Sequence, residues 1–358
     1  MDNTVTISTL QWLRDEFSFC ANVPDAAAQL QNHWNTWATL ADFQKIAGSG
    51  MNLVRIPVGY WAFQKYPGDT YVQDARDYLA KAIVWARQTN LKVWIDLHGA
   101  PLSQNGFDNS GIRTNNIQWT SGDTIGFTNG IIGQIMDQFK SDADVVIGIE
   151  LLNEPVMGSL PAGRGGTENY YTQGYYNVRG QSQIPVILHD GFASPSSWND
   201  FLPGQSGIVI DHHEYQVFSS ADNALSAADH VSAAYSRAAT WASGQSKWLM
   251  CGEWTAAMTD CAPALNGYGI GSRYDGSYSK QNADGSYDSS YYIGSCATKN
   301  FIDQWDQPMK DNTRNYIQAQ INAFEQHTQG WIFWNFKTEA SAEWDYFRLL
   351  DNGIWPAM

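Results

Sequence analysis

Seven short runs of apolar residues punctuate the chain, at 52–59, 92–99, 145–155, 184–191, 207–215, 247–254 and 330–337. They are continuously rich in Val, Ile, Leu and aromatic residues, the pattern of strands buried on both faces of a parallel sheet. Between most of them, apolar positions recur at three- and four-residue spacing, which predicts amphipathic helices. The first helix is expected over Asp25–Gly50: Ala27, Leu30, Trp34, Trp37, Leu40, Phe43 and Ile46 share a face, and Gly48 and Gly50 close it. Others are expected over Asp74–Thr89, 124–140, 221–243 and 311–327. Strand–helix alternation at this spacing means parallel strands joined by right-handed crossovers. The fold class is therefore α/β with parallel strands, as in a barrel or a doubly wound sheet; the former, a (β/α)8 TIM barrel, would have its first strand missing or weakly replaced. The alternating Val5 and Ile7 are the candidate replacement, because an eight-stranded barrel needs one strand more than the seven runs supply. The tract 266–300, dense in Gly, Tyr, Ser and Asn, reads as an ordered loop over the barrel mouth. No linker and no internal repeat interrupts the pattern, so residues 1–358 read as a single domain.

Two of the runs end in glutamate. Val145–Pro155 finishes in Asn153, Glu154 and Pro155, and a proline cannot donate to a ladder. Lys247–Trp254 carries Glu253 at its tip. Barrels collect their catalytic groups at the C-terminal tips of their strands. One such glutamate alone would read as a salt-bridged strand end; two are the minimum apparatus for cleaving a glycosidic bond. Strand parity puts Glu150, Leu152 and Glu154 on one face, with Asp96 and His98 alike, and His213 and Tyr215 alike. A carboxylate as deep as Glu150 needs a cation, and Arg55 is the candidate. Arg55 could instead bond Glu253 and keep it ionised. His98 and His213 lie at strand ends, where a core histidine and a site histidine are the competing readings. Trp334 is either core or a floor under a sugar ring. Past the second strand, Gln104, Asn105, Gly106, Phe107, Asp108 and Asn109 form a polar loop; Asp108 joins the substrate-binding candidates. Phe107 and Phe218, both just beyond strand ends, suit a clamp on substrate.

Composition narrows the partners. Charged residues make only 16% and hydrophobic ones 43%, enough for a large core. Sixteen tryptophans and 14% aromatics supply flat apolar faces of the kind that bind sugar rings. A net charge of −15 argues against nucleic acid and anionic membranes and fits a neutral substrate. No run approaches a membrane span, and the start, Met1-Asp2-Asn3-Thr4, is not that of a signal peptide. Cys20, Cys251, Cys261 and Cys296 lack close metal-ligand spacing, and no metal or cofactor is expected. Their three complete pairings stay open. No Asn-x-Ser/Thr sequon is present.

The blocks RIPVGYWAF, WIDLHGAPLSQNGFDNSG, IGIELLNEP, DHHEYQVF, GEWTAAMTDCA and GWIFWNFKTE together resemble the fungal exo-β-1,3-glucanases (glucan 1,3-β-glucosidases) of glycoside hydrolase family 5, from about Asp15 to Pro356. The resemblance implies a monomeric, secreted or cell-wall barrel that releases glucose from the non-reducing end of β-glucan with retention. It implies Glu154 as acid/base and Glu253 as nucleophile. Arg55, His98, Asn153, His213, Tyr215 and Trp334 match positions around the sugar, and Phe107 and Phe218 an aromatic pair at the cleft entrance. In that chemistry Glu253 attacks the anomeric carbon while Glu154 protonates the departing oxygen, and water reverses the roles. Asn153 hydrogen-bonds the 2-hydroxyl.

The sequence departs from the resemblance in three places. Glu214 stands where relatives carry a histidine. The family's first strand, with its Gly-Gly-Trp signature and a glutamate that binds the terminal glucose, is expected before Asp15 and is not there. A cysteine-bearing tail is expected after Pro356. A fragment or truncation with an open wall and weakened catalysis is the corresponding expectation. The rival readings are a related family 5 enzyme acting on aryl glucosides, diglycosides or β-1,6-glucan, and a glucan-binding barrel with impaired catalysis. A metal-dependent hydrolase using His98, His212 and His213 lacks the usual His-x-His on its first strand.

Overall fold

The computed structural model describes residues 13–282 and 284–357. Two compact units divide the chain: Met1–Ala193 with Asp200–Ile210, and Ser194–Asn199 with Asp211–Met358. All seven expected strands form: β1 (Leu53–Gly59), β2 (Lys92–Gly99), β3 (Val146–Glu150), β4 (Val186–His189), β5 (Ile208–His213), β6 (Trp248–Trp254) and, after a small ribbon, β9 (Trp331–Phe333). They are hydrogen-bonded in the order β1-β2-β3-β4-β5-β6-β9. The pairs β1–β2, β2–β3, β3–β4 and β6–β9 are parallel. This is the order of a (β/α)8 barrel, of which the described residues supply seven strands. The expected weak strand at Val5–Ser8 lies outside them.

In the first unit the strands carry the apolar runs into a dry core: Val93, Ile95, Leu97, Val146 and Ile149 are fully buried. The helix Ala75–Thr89 buries Leu79, Ala82, Ile83 and Ala86, the spacing of one helical face. It ends at Asn90, whose left-handed conformation lets Leu91 N–H return to the Ala86 carbonyl at 2.9 Å. Asp25–Gly50 is two helices, Ala26–Thr36 and Leu40–Gly48. The break is a capping box: Thr39 and Asp42 exchange side-chain-to-backbone hydrogen bonds and start a new helix within an unbroken apolar periodicity. Gly163–Arg179 is a further helix, which its glycines at 163, 165 and 166 hide in the sequence; it buries Tyr170, Tyr171 and Tyr175.

In the second unit, 221–243 likewise divides, into Ser220–Asn223 and Ala227–Trp241, because Ser226 caps the second helix through Asp229 N–H. The tract 266–300 is not wholly loop. It holds an antiparallel ribbon, β7 (Ser279–Gln281) with β8 (Tyr287–Ser289), and a disulfide joins Cys261 to Cys296. Cys20 and Cys251 are free thiols. The core around Trp254, which meets Phe324 and Phe333 edge-on, is aromatic. Among the described residues no helix is long and apolar enough to cross a membrane.

Candidate active site

The tips of β1, β2 and β3 build one group of polar side chains in the first unit. Register sets Asp96 beside Glu150 across β2 and β3. Arg55 Nε donates to Glu150 at 2.8 Å, and its terminal nitrogen lies 3.1 Å from Asp96 and 2.9 Å from the Asn153 side-chain oxygen. The parity argument for Arg55 and Glu150 thus holds. Asp96 is also 2.5 Å from His98 Nδ1. Burial pushes the Asp96 carboxyl up, but Arg55 and His98 outweigh it and hold it below the usual carboxylate range. The guanidinium stands between the two acids and offsets their charge.

Beyond β3 the backbone keeps bonding to its neighbours: Leu151 N–H reaches Ile187 and Asn153 N–H reaches Leu97. Alternation does not extend to Glu154, however. Its φ is +46°, a left-handed conformation that costs a non-glycine residue on the order of 1–3 kcal/mol. The pleat therefore does not set where its carboxylate goes; a turn does. Glu154 as a residue is 8% exposed, and its carboxylate accepts from Asn109 Nδ2 at 3.2 Å. Gln104 ties the arrangement together, donating to the carbonyls of His98 and Asn153 while accepting from Ala100 N–H. In the same loop Phe107 is exposed. Burial raises the Asp108 carboxyl, with Arg113 opposing the shift.

The second unit offers a clamped carboxylate. Glu253 lies within β6, and its carbonyl accepts from Glu214 N–H at 3.0 Å. The Tyr215 hydroxyl donates to Glu253 Oε2 at 2.7 Å. His213 Nδ1 is 3.5 Å from the same oxygen, and Asp211 holds the other ring nitrogen at 3.1 Å. Asp211 is itself fixed by Gly252 N–H at 2.7 Å. A Cβ at Gly252 would fall 2.1 Å from that carboxylate, so only glycine fits before the glutamate. The Tyr215 ring is stacked on Trp344 and met edge-on by the exposed Phe218. Trp334 packs into the same apolar cluster, with its N–H bonded to the Trp254 carbonyl. Cys251, beneath, is a neutral filler: burial pushes its thiol well up. Glu214, the departure from the expected histidine, turns to His212 and Arg237 at 3.7 and 3.5 Å.

Residues 19–283 match the model of the cellulase family, glycosyl hydrolase family 5. The chain is 46% identical over 344 residues to glucan 1,3-beta-glucosidase 2 of Wickerhamomyces anomalus, covering 93% of this chain and 77% of that one. It is 43% identical to glucan 1,3-beta-glucosidase I/II of Saccharomyces cerevisiae, covering 96% and 77%. The chain belongs to glycosyl hydrolase family 5. Among solved structures, rutinosidase from Aspergillus niger aligns at a TM-score of 0.70 over 96% of this chain and 89% of its own, with 20% identity. An endoglucanase of Thermotoga maritima aligns at 0.56 and 12% identity, covering 88% and 89%. Both share the fold.

The first unit brings Arg55, His98 and Asn153 together; the second brings His213 and Tyr215 onto Glu253. Sequence reasoning missed Gln104, Asn109 and Asp211 as supports. Asp211 carried a signal, since it shares the parity of His213 and Tyr215. Gln104 and Asn109 carried none beyond membership of a polar loop.

Proposed function

We propose that residues 1–358 act as one catalytic domain that releases glucose from the non-reducing ends of β-1,3-glucan by double displacement, with Glu253 as nucleophile and Glu154 as acid/base. The observation that carries this is the Glu253 carboxylate, at a strand tip in a family 5 chain, held by Tyr215 and His213. A hydroxyl donated to one carboxylate oxygen fixes the direction of the group, as a nucleophile needs. Glu154 follows a different strand, in a strained turn, the kind of backbone that persists where surroundings over-determine it. Asn153, oriented by Arg55, suits the 2-hydroxyl. His98, Asp108 and Trp334 serve sugar binding, and the exposed Phe107 and Phe218 grip the sugar beyond the cleaved bond. The relatives named glucan 1,3-beta-glucosidase support this substrate. The protein works as a monomer outside the cell or in its wall, to which the Cys261–Cys296 disulfide is suited.

The test is product analysis on laminarin. The expected product is β-glucose, seen by NMR before mutarotation, and Glu253→Gln abolishes its release. α-Glucose as first product would indicate inversion and remove the nucleophile assignment, as would a crystal structure with the two carboxyls about 8–9 Å apart in place of about 5 Å. Faster cleavage of a diglycoside or β-1,6-glucan would move the substrate and leave the mechanism standing.

A further inference from the structure

The ribbon β7–β8 and the segment that follows it present three aromatic rings that the fold does not use. Tyr287, Tyr291 and Tyr292 are 61%, 63% and 67% exposed. Among the described residues none of the three side chains stacks on another ring, meets a cation or makes a hydrogen bond. Large exposed apolar surface grouped in one segment marks an interaction site more often than scattered single residues do.

The backbone under these rings is fixed. Register pairs Tyr287 with Gln281 and Ser289 with Ser279, and Asp275 bridges to Tyr292. The Tyr274 carbonyl accepts from Ile293 and Gly294. Gly276, at φ +76°, backs onto Tyr292 so closely that a Cβ would lie 2.9 Å from its nitrogen. Behind them Asp260, fully buried, binds Ser272 Oγ at 2.6 Å, Arg273 N–H at 2.8 Å and Tyr274 N–H at 3.0 Å. The disulfide from Cys261 to Cys296 closes the tract. A fixed support lowers the ordering cost that a mobile loop would add on binding. Tyrosine suits the task, being a wide ring with little rotamer freedom to lose.

We propose that Tyr287, Tyr291 and Tyr292 form a platform, additional to the catalytic residues, that binds a neutral β-glucan chain. It rests on the glucanase reading given above. The chemistry of the ribbon selects the occupant. Around the rings the ribbon carries polar and charged groups at Ser279, Lys280, Asp288 and Ser289, with no exposed Leu, Ile, Val or Met beside them. A protein partner would need a continuous apolar centre. A pyranose has one C–H face to lay on a ring and a hydroxyl edge for such polar groups. The net charge of −15 disfavours anionic polymers. Tyr287 and Tyr291 are four residues apart, about 13 Å of extended chain, so the contact is with several sugars in a row.

The experiment compares the chain with its Tyr287→Ala/Tyr291→Ala/Tyr292→Ala variant and with each single variant. Retention on insoluble β-1,3-glucan is measured in a Glu253→Gln background, so that nothing is digested. Hydrolysis of an aryl β-glucoside and of laminarin is measured in the active background. The expected result is retention weakened at least fivefold by the triple change, with aryl glucoside turnover within twofold of the parent. Unchanged retention overturns the platform. So does a parallel loss of retention and aryl activity in every single variant, and so does sedimentation showing that the parent self-associates and the triple variant does not. Failure of the glucanase reading shows separately, as an active parent that cleaves the aryl glucoside but not laminarin.

Discussion

Glu253 and Glu154 both lie toward the C-terminal side of strands, yet their surroundings differ in kind. Glu253 sits inside β6, where the ladder fixes its backbone and Tyr215 on the adjoining segment fixes its carboxylate at 2.7 Å. Glu154 lies four residues past the end of β3, in a left-handed turn, against the amide of a loop asparagine. The difference matches the two roles proposed. A nucleophile keeps one charge state and one direction until it attacks, so a rigid ladder and a hydroxyl donor suit it. An acid that later becomes a base changes charge within one turnover, and its carboxylate is placed by a turn, with an asparagine amide and His189 near it. Beneath the turn, Arg55 secures Asp96 and Glu150, and the fixed charge lies one layer below the group that must change.

The most damaging changes remove the carboxylates themselves. Glu253→Gln is expected to lower laminarin turnover by about 10³–10⁵-fold, about 4–7 kcal/mol. Glu154→Gln should do the same on laminarin but cost far less on an aryl glucoside with a good leaving group, which needs no proton. Equal losses from Glu154→Gln on both substrates would erase the distinction between the sites. Arg55→Met leaves two buried acids without their cation and should destabilise the fold by about 3–5 kcal/mol, seen in denaturant unfolding.

A third buried glutamate sharpens the contrast. Glu343, whose carbonyl receives the Thr255 hydroxyl just past Glu253, is pushed by burial up to about 7, with Lys299 and hydrogen bonds opposing the shift. Whereas Glu150 is paired with a guanidinium, Glu343 is pushed toward its protonated form by burial. Folded Glu343 holds its proton up to about pH 7, whereas the unfolded side chain loses it near 4.5. The folded state therefore binds the extra proton between those values, and stability falls as pH rises through them, then levels off. Glu343→Gln should match the parent near pH 4 and exceed it by about 2–4 kcal/mol at pH 8; a constant difference across that range would contradict this. Tyr215→Phe deletes the hydroxyl and keeps the stacked ring, so kcat should fall by about 10–100-fold, about 1.4–2.7 kcal/mol, with the melting temperature little changed. The smallest effect is expected for Phe107→Ala or Phe218→Ala: about 1 kcal/mol on oligosaccharide turnover and less on aryl glucosides. Equal losses on both substrates would make the rings part of the fold instead.

The seven strands were legible because a strand buried on both faces must be apolar at every position, which one window of sequence displays. The tips at Glu154 and Glu253 were legible for the same reason, as abrupt polar ends to apolar runs. Arg55 and Glu150 followed from parity and the cost of burying a charge. The divided helices were not: the signal that breaks Asp25–Gly50 is one threonine with an aspartate three residues on, inside a periodicity that otherwise continues.

The sequence by itself supplied the strand pattern, the two glutamates proposed for catalysis and a charge balance that argues against anionic partners, all properties of composition and short-range order. Only the tertiary structure decided which polar residues support them. Gln104 is buried because two strand tips and a loop converge on it, and Asp211 matters because Gly252 on the neighbouring strand has no side chain in its way. The choice of Cys261 with Cys296 and the protonation of Glu343 belong to the same class. A side chain's pairing and protonation depend on what lies within a few ångströms of it, and residues distant in sequence supply those neighbours.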